Sequence, residues 1–358
     1  MTLRTIALAL SASLLCAAAE PPPPPAGLEP YLENGRYKPG AFGWTKGRFL
    51  DATAEEVAAY RAIVDWQNAC RGAAQAELRE QLAVRGYPEA PVDTMGSGPL
   101  LCRQLSFQPL LADFSSFAAV EREMGSVGPV IDAFLAATRL AEESSRPSAS
   151  ADLGRQLEAR PLGEQVLRRA STWGVGNDTD SPQLSPLGRA LFQARIGIAT
   201  VARDEANTEW LKGVVAERGW PTISAVGEEA SFAAWLLVQH ADADPAFQLD
   251  ALRLMEPLVV SGEVSKSNYA YLYDRVMLKL AGKQRYATQV RCRDGIRAPQ
   301  PLEDEANVDR LRSEVGLPPV SEYIEQFNKM VPCEGLPENT IRSQGEGRGE
   351  PGGGPAVS

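Results

Sequence analysis

The chain has 358 residues, 44% of them hydrophobic and 23% charged, with 36 basic and 46 acidic side chains and one histidine. That is long and apolar enough for one large or two ordinary domains with a proper core. A net charge of −10 argues against nucleic-acid and anionic-membrane binding, which need a clustered basic face, and a lone histidine excludes every two- or three-histidine metal site.

Residues 1–19 carry one early Arg4, an apolar run from Thr5 to Leu15 and a small-residue end at Ala17-Ala18-Ala19. These are the three parts of a secretory signal, with cleavage expected after Ala19 and a periplasmic or secreted mature protein. Acylation at Cys16 is the minor alternative, disfavoured by Leu14-Leu15 in front of it. Cleavage removes Arg4, which takes the charge from −10 to −11, and it leaves Cys70, Cys102, Cys292 and Cys333. An even number of cysteines in an exported chain reads as disulfides. Four allow three pairings, and Cys70–Cys102 with Cys292–Cys333 is favoured because each closes a short loop within one half. No later stretch approaches the roughly 20 apolar residues of a transmembrane helix.

The mature chain opens on Pro/Gly-rich residues 20–48, whose composition predicts an extended linker. Thr53-Ala54-Glu55-Glu56 is a capping box that starts a helix to about Cys70. Further helices are predicted near 74–85, 106–122, 127–143 and 151–170, which makes 49–173 an N-terminal helical region. The breaker cluster from Gly174 to Pro182 marks a boundary loop over 174–186. A C-terminal helical domain over 187–333 follows. Leu187 to Arg218 reads as one long or broken helix stopped by Gly219-Trp220-Pro221. Ser224 is the expected cap of a helix over 225–241, apolar all round from Ala230 to Val238 and so the central buried helix. Asp244-Pro245 opens another to about Val260, and a further helix fits 267–281. Asp294-Gly295 predicts a tight turn in one small β-hairpin near 286–298. Short helices near 304–314 and 319–330 close the domain, and the Gly-rich tail 334–358 reads as disordered. The fold class is mainly α, an orthogonal or bundle-like array with one hairpin.

Ordered blocks in the second half resemble an uncharacterised bacterial family, the domain of unknown function 6624. They are Asn207-Thr208-Glu209-Trp210-Leu211-Lys212, Gly219-Trp220-Pro221-Thr222, Trp235 through Asp242, and Ala270 through Arg275. Gln284-x-Tyr286-x-Thr288-Gln289 and Pro301-Leu302-Glu303-Asp304 complete them. The resemblance spans about residues 207–325 and implies no activity, substrate or cofactor. Ala287 stands where the family pattern has glycine.

His240, at the end of the apolar helix, reads either as a general base oriented by a carboxylate or as a helix C-cap. Asp274 and Glu303 are the carboxylates considered for its support, although each also has a structural reading: Asp274 as partner of a buried arginine, Glu303 as a capping group. His240-x-Asp242-x-Asp244 has ligand-type residues, but Asp244 is already the cap before Pro245, so no metal is expected. Glu228 and Glu229 belong to a helix first turn, where carboxylates face the positive end of the dipole. Gln239, Arg275, Tyr286 and Gln289 complete a polar set that is unusual for a compact helical domain, with Arg275 able to fix an anionic group through its forked donors. If convergent, the set is either a satisfied polar network or a ligand pocket. The expected function is an exported module that binds a small polar ligand or a protein through a pocket around His240 and Arg275. The alternatives are an extracytoplasmic hydrolase with His240 as base and a structural envelope protein. No cofactor motif is present, and neither nucleic acid nor a membrane span is expected.

Overall fold

The computed structural model describes residues 22–91, 98–148, 151–171, 173, 182–330 and 333. The signal segment, the 174–181 part of the boundary loop and the tail from 334 lie outside these residues. Helices dominate: α1 (Ala54–Ala83), α2 (Leu100–Leu105), α3 (Phe117–Ser145), α4 (Leu153–Ala159), α5 (Leu162–Ser171) and α6 (Pro186–Arg218). They continue as α7 (Ile223–Val226), α8 (Glu228–Gln239), α9 (Pro245–Val260), α10 (Lys266–Ala281), α11 (Val308–Glu314) and α12 (Val320–Met330). Two antiparallel pairs are the only named sheets among the described residues: β1 (Leu32–Glu33) with β2 (Arg36–Tyr37), and β3 (Val290–Arg293) with β4 (Ile296–Pro299). The mainly α class with a small hairpin is thus observed.

Local chemistry accounts for the helix starts. Thr53 and Glu56 form a reciprocal capping box at α1, and Ser116, Asp152, Ser185, Asp244 and Ser265 each accept a hydrogen bond from a first-turn N–H. α1 runs through the break expected after Cys70, because the alanines around Gly72 offset its low helix propensity. Residues 151–170 divide into α4 and α5 at Arg160-Pro161. The helix over 225–241 is likewise two pieces, separated by Gly227 at φ 91°, with Thr222 rather than Ser224 at the N-cap. α8 is not buried all round, since Phe232 is 47% exposed.

The cores do not follow the expected boundary. One gathers Leu28, Trp44, Ile63, Ile131, Leu191 and Ile196; the other gathers Leu82, Leu157, Leu211, Trp235, Leu252 and Leu272. α1 and α6, about 45 and 50 Å long at 1.5 Å per residue, contribute one end to each. Residues 26–48 are also not an extended linker. Two 3₁₀ segments, Ala26–Tyr31 and Phe42–Arg48, bury Leu28, Phe42 and Trp44 against α1. Gly47 belongs to that packing: a Cβ there would lie 2.1 Å from the Glu56 carbonyl oxygen.

Disulfides join Cys70 to Cys102 and Cys292 to Cys333, the favoured pairing, and they fit an oxidising, extracytoplasmic setting. No helix among the described residues is long and apolar enough to cross a membrane.

Candidate functional site

α5 and α6 pack side by side, and each presents polar groups at helical spacing to the other. From α5 come Glu164 and Arg168, one turn apart. From α6 come Asp204, Asn207 and Thr208. Arg168 Nη2 donates to both Asp204 oxygens at 2.7 Å, and Asn207 Nδ2 donates to Glu164 Oε2 at 3.0 Å. His240, the residue that ends α8, meets this layer from the third side. Its Nδ1 lies 2.7 Å from Glu164 Oε1, with both side chains buried. His240 is therefore the C-cap in position, while its ring bonds a carboxylate instead of the last carbonyls of the helix.

The electrostatics fix the proton. Burial alone would raise Glu164, but His240, Arg168 and Asn207 outweigh it and hold the carboxyl below its usual value. Burial lowers His240, and the nearby Arg168 and Arg275 charges reinforce that against the pull of Glu164. At neutral pH the pair is an ionised carboxylate and a neutral imidazole, with Nδ1–H donating to Glu164. Nε2 is then the basic nitrogen, and no described residue hydrogen-bonds it. Asp204 goes the other way: burial pushes it up to about 7, Arg168 only partly offsets this, and the negative charges of Glu164 and Asp242 add to the rise.

His240, Asp204 and Thr208 line one cavity of about 290 Å³, walled further by α1 and the start of α2. The arrangement can accept a proton or hydrogen bond at His240 and carry an exchangeable proton at Asp204 near pH 7. A larger hollow of about 400 Å³ lies elsewhere, between Phe42 and Phe117, and contains no such acid–base group pair.

The other sequence-chosen residues occupy a second polar region. Asp274 does not support His240. Its oxygens accept backbone N–H groups of Arg285, Tyr286 and Thr288 at 2.7–3.2 Å, closing the turn before β3. Nor does it hold Arg275, whose Nε and Nη2 grip Asp242 at 2.9 and 3.0 Å. Glu303 accepts from the Tyr273 hydroxyl at 2.9 Å and from Arg285 at 2.8 Å, so it too is engaged away from the histidine. Gln289 lies 3.5 Å from Arg275 Nη1, and its N–H donates to Gln284. Tyr286 and Thr288 precede β3 instead of alternating along it, because Ala287 between them has φ 52°. Gln239 is buried in the second core region with its Oε1 unpartnered.

Asp242 and Asp244, the ligand-type residues beside His240, are both engaged in ion pairs. Asp242 takes Arg275 and Lys279, which overcome burial and hold it well below the usual carboxylate range. Asp244 caps α9 and pairs with Lys212.

Glu164, Arg168 and Asp204 escaped the sequence reading. The available signal was the position of Glu164: it falls with Gly163, Leu167 and Ala170 on the buried stripe of α5, where a charge requires a partner.

Residues 186–332 match the model of a family described as a family of unknown function, DUF6624, extending the 207–325 resemblance to the first turn of α6. Neither a curated protein nor a solved structure matches the chain. His240 and Asp204 lie inside the matched region, whereas Glu164 and Arg168 lie outside it.

Proposed function

We propose that the protein is an extracytoplasmic module that binds a small polar ligand in the cavity beside His240, with Glu164 setting the tautomer of the ring. The observation that carries this reading is the 2.7 Å Glu164–His240 hydrogen bond at the wall of the 290 Å³ cavity. A neutral imidazole held through Nδ1 presents Nε2 as an acceptor to whatever enters. Arg275 leaves the anticipated pocket, because Asp242 occupies its donors; it supports the loop after α8 from behind.

The lone histidine makes the test direct. In a ¹⁵N-edited spectrum at pH 7 the imidazole is expected neutral and protonated at Nδ1. A protonated ring, or a proton on Nε2, overturns the reading.

A second reading, a hydrolase with His240 as general base, is favoured by one further observation. Asp204, which burial pushes up to about 7, lines the same cavity and can supply an acid to accompany the base. Turnover of a model ester such as p-nitrophenyl acetate, lost in both His240→Gln and Asp204→Asn, would establish it. Equal background rates in all three proteins would remove it.

The disulfides support export, and we assign the mature N-terminus to Glu20, after a cleaved signal. N-terminal sequencing of the exported chain checks that assignment; a chain acylated at Cys16 would correct it.

A further inference from the structure

The groups around the His240 cavity are unbalanced in sign and in hydrogen-bonding type. Carboxylates Glu77, Asp204, Glu205, Glu209 and Asp244 line it, against two cations, Arg103 and Lys212. Both cations are taken. Arg103 donates to Glu205, and Lys212 Nζ lies 3.0 Å from both Glu209 Oε1 and Asp244 Oδ2. Arg168 answers Asp204 from behind the wall. Lys212 thus divides one charge between two carboxylates, and Glu77 has the Gln81 amide at 3.0 Å in place of a cation. Negative charge is left over.

The second observation is independent of that count. His240 is 95% buried, lines the same cavity, and has no described partner at Nε2. With Nδ1–H committed to Glu164, Nε2 offers a lone pair. An anion entering here would meet like charge and an acceptor where it needs donors. A protonated amine would meet an acceptor at Nε2 and a surplus of carboxylates, since Arg103 and Lys212 are already engaged in ion pairs. The cavity volume lies at the lower limit of ligand pockets and suits a compact molecule.

We propose that the cavity takes a small organic cation, an ammonium group that donates to His240 Nε2 and to the surplus carboxylates, Glu77 and the Glu209 that shares Lys212 with Asp244. This rests on the ligand-binding reading and names its ligand class.

The test compares 1,4-diaminobutane with succinate, four-carbon probes of opposite charge, added to the disulfide-bonded mature chain. Binding is read on the imidazole resonances of His240 and by calorimetry. The diamine is expected to shift the imidazole saturably while succinate does not. The Glu77→Gln/Glu209→Gln double variant, altered only at exposed positions, should bind the diamine three- to tenfold more weakly. Succinate shifting the ring in place of the diamine overturns the cation assignment, as does undiminished diamine affinity in the double variant. If neither probe moves the imidazole, the cation assignment falls, while the pocket reading is still judged by the tautomer measurement.

Discussion

Two regions of this molecule bury carboxylates, and they satisfy them by opposite means. Beside the hairpin, Asp274 is surrounded by backbone dipoles: three N–H groups from the 285–288 turn close on its two oxygens. Beside the cavity, Glu164 and Asp204 face side chains on separate helices, among them a full guanidinium charge. Burial pushes Asp274 up and its N–H donors offset that only in part, whereas the partners of Glu164 win and hold it down. At the turn only Asp274 itself can titrate, because its partners are fixed backbone dipoles; beside the cavity the partners are ionisable too, which makes a layer whose protonation can respond to pH or a ligand. The first arrangement closes a turn and the second lines the candidate site.

The sharpest way to break that distinction is to remove each carboxylate. Asp274→Ala leaves two buried N–H groups and one partly buried one without acceptors and should lower unfolding free energy by about 3 kcal/mol in urea denaturation. Glu164→Gln keeps the volume and one acceptor, so a smaller loss of about 2 kcal/mol is expected, together with loss of the fixed Nδ1–H tautomer in the imidazole spectrum. Equal losses without a tautomer change would erase the contrast.

A pH series sharpens it further. His240 is lowered on folding, so its contribution is present above the unfolded value of 6.5 and is lost as pH falls through the depressed folded value. Asp204 is raised from 3.8 to about 7, so its contribution is full below 3.8 and is lost as pH rises through about 7. Between pH 5 and 6.5 the two oppose each other. His240→Gln should unmask Asp204, giving a protein whose stability falls by about 1–2 kcal/mol from pH 5 to 7 while the wild type changes less. Denaturant midpoints at three pH values decide it; a flat profile in the variant would mean that Asp204 is ionised throughout.

The smallest effect belongs to the hairpin side. Ala287 is fully buried with φ 52°, a conformation that favours glycine. Ala287→Gly should relieve that strain but lose a buried methyl, for a net gain of no more than about 1 kcal/mol in thermal unfolding.

What could be read beforehand follows the range of each interaction. Thr53-x-x-Glu56, Asp244-Pro245 and Asp294-Gly295 act within four residues, and their caps and turn form as expected. The cysteine pairing followed from loop length. Glycine misled: Gly47 looked like linker flexibility but serves close approach to α1. The site was legible only by half. His240 stood out as the sole histidine, but its carboxylate lies 76 residues away in a helix outside the family-matched region. Asp274 and Glu303 were nearer in sequence and carried the family pattern, yet local turn geometry and Arg285 had prior claims on them. Which of several carboxylates reaches one imidazole depends on how α5, α6 and α8 pack, and no spacing along the chain encodes that.

The long reach of α1 also bears on the order of assembly. Its first turns pack into one core, while Leu78 and Leu82 belong to the other, whose members extend to Tyr286. Arg85, just beyond the helix, grips Asp250 across 165 residues of sequence. During synthesis, therefore, the end of a helix made early has no native cover until most of the chain has appeared. Contacts of such separation close slowly and leave apolar surface open meanwhile. The Glu164–His240 pair is subject to the same delay, since it closes only after α8 has emerged beside α5.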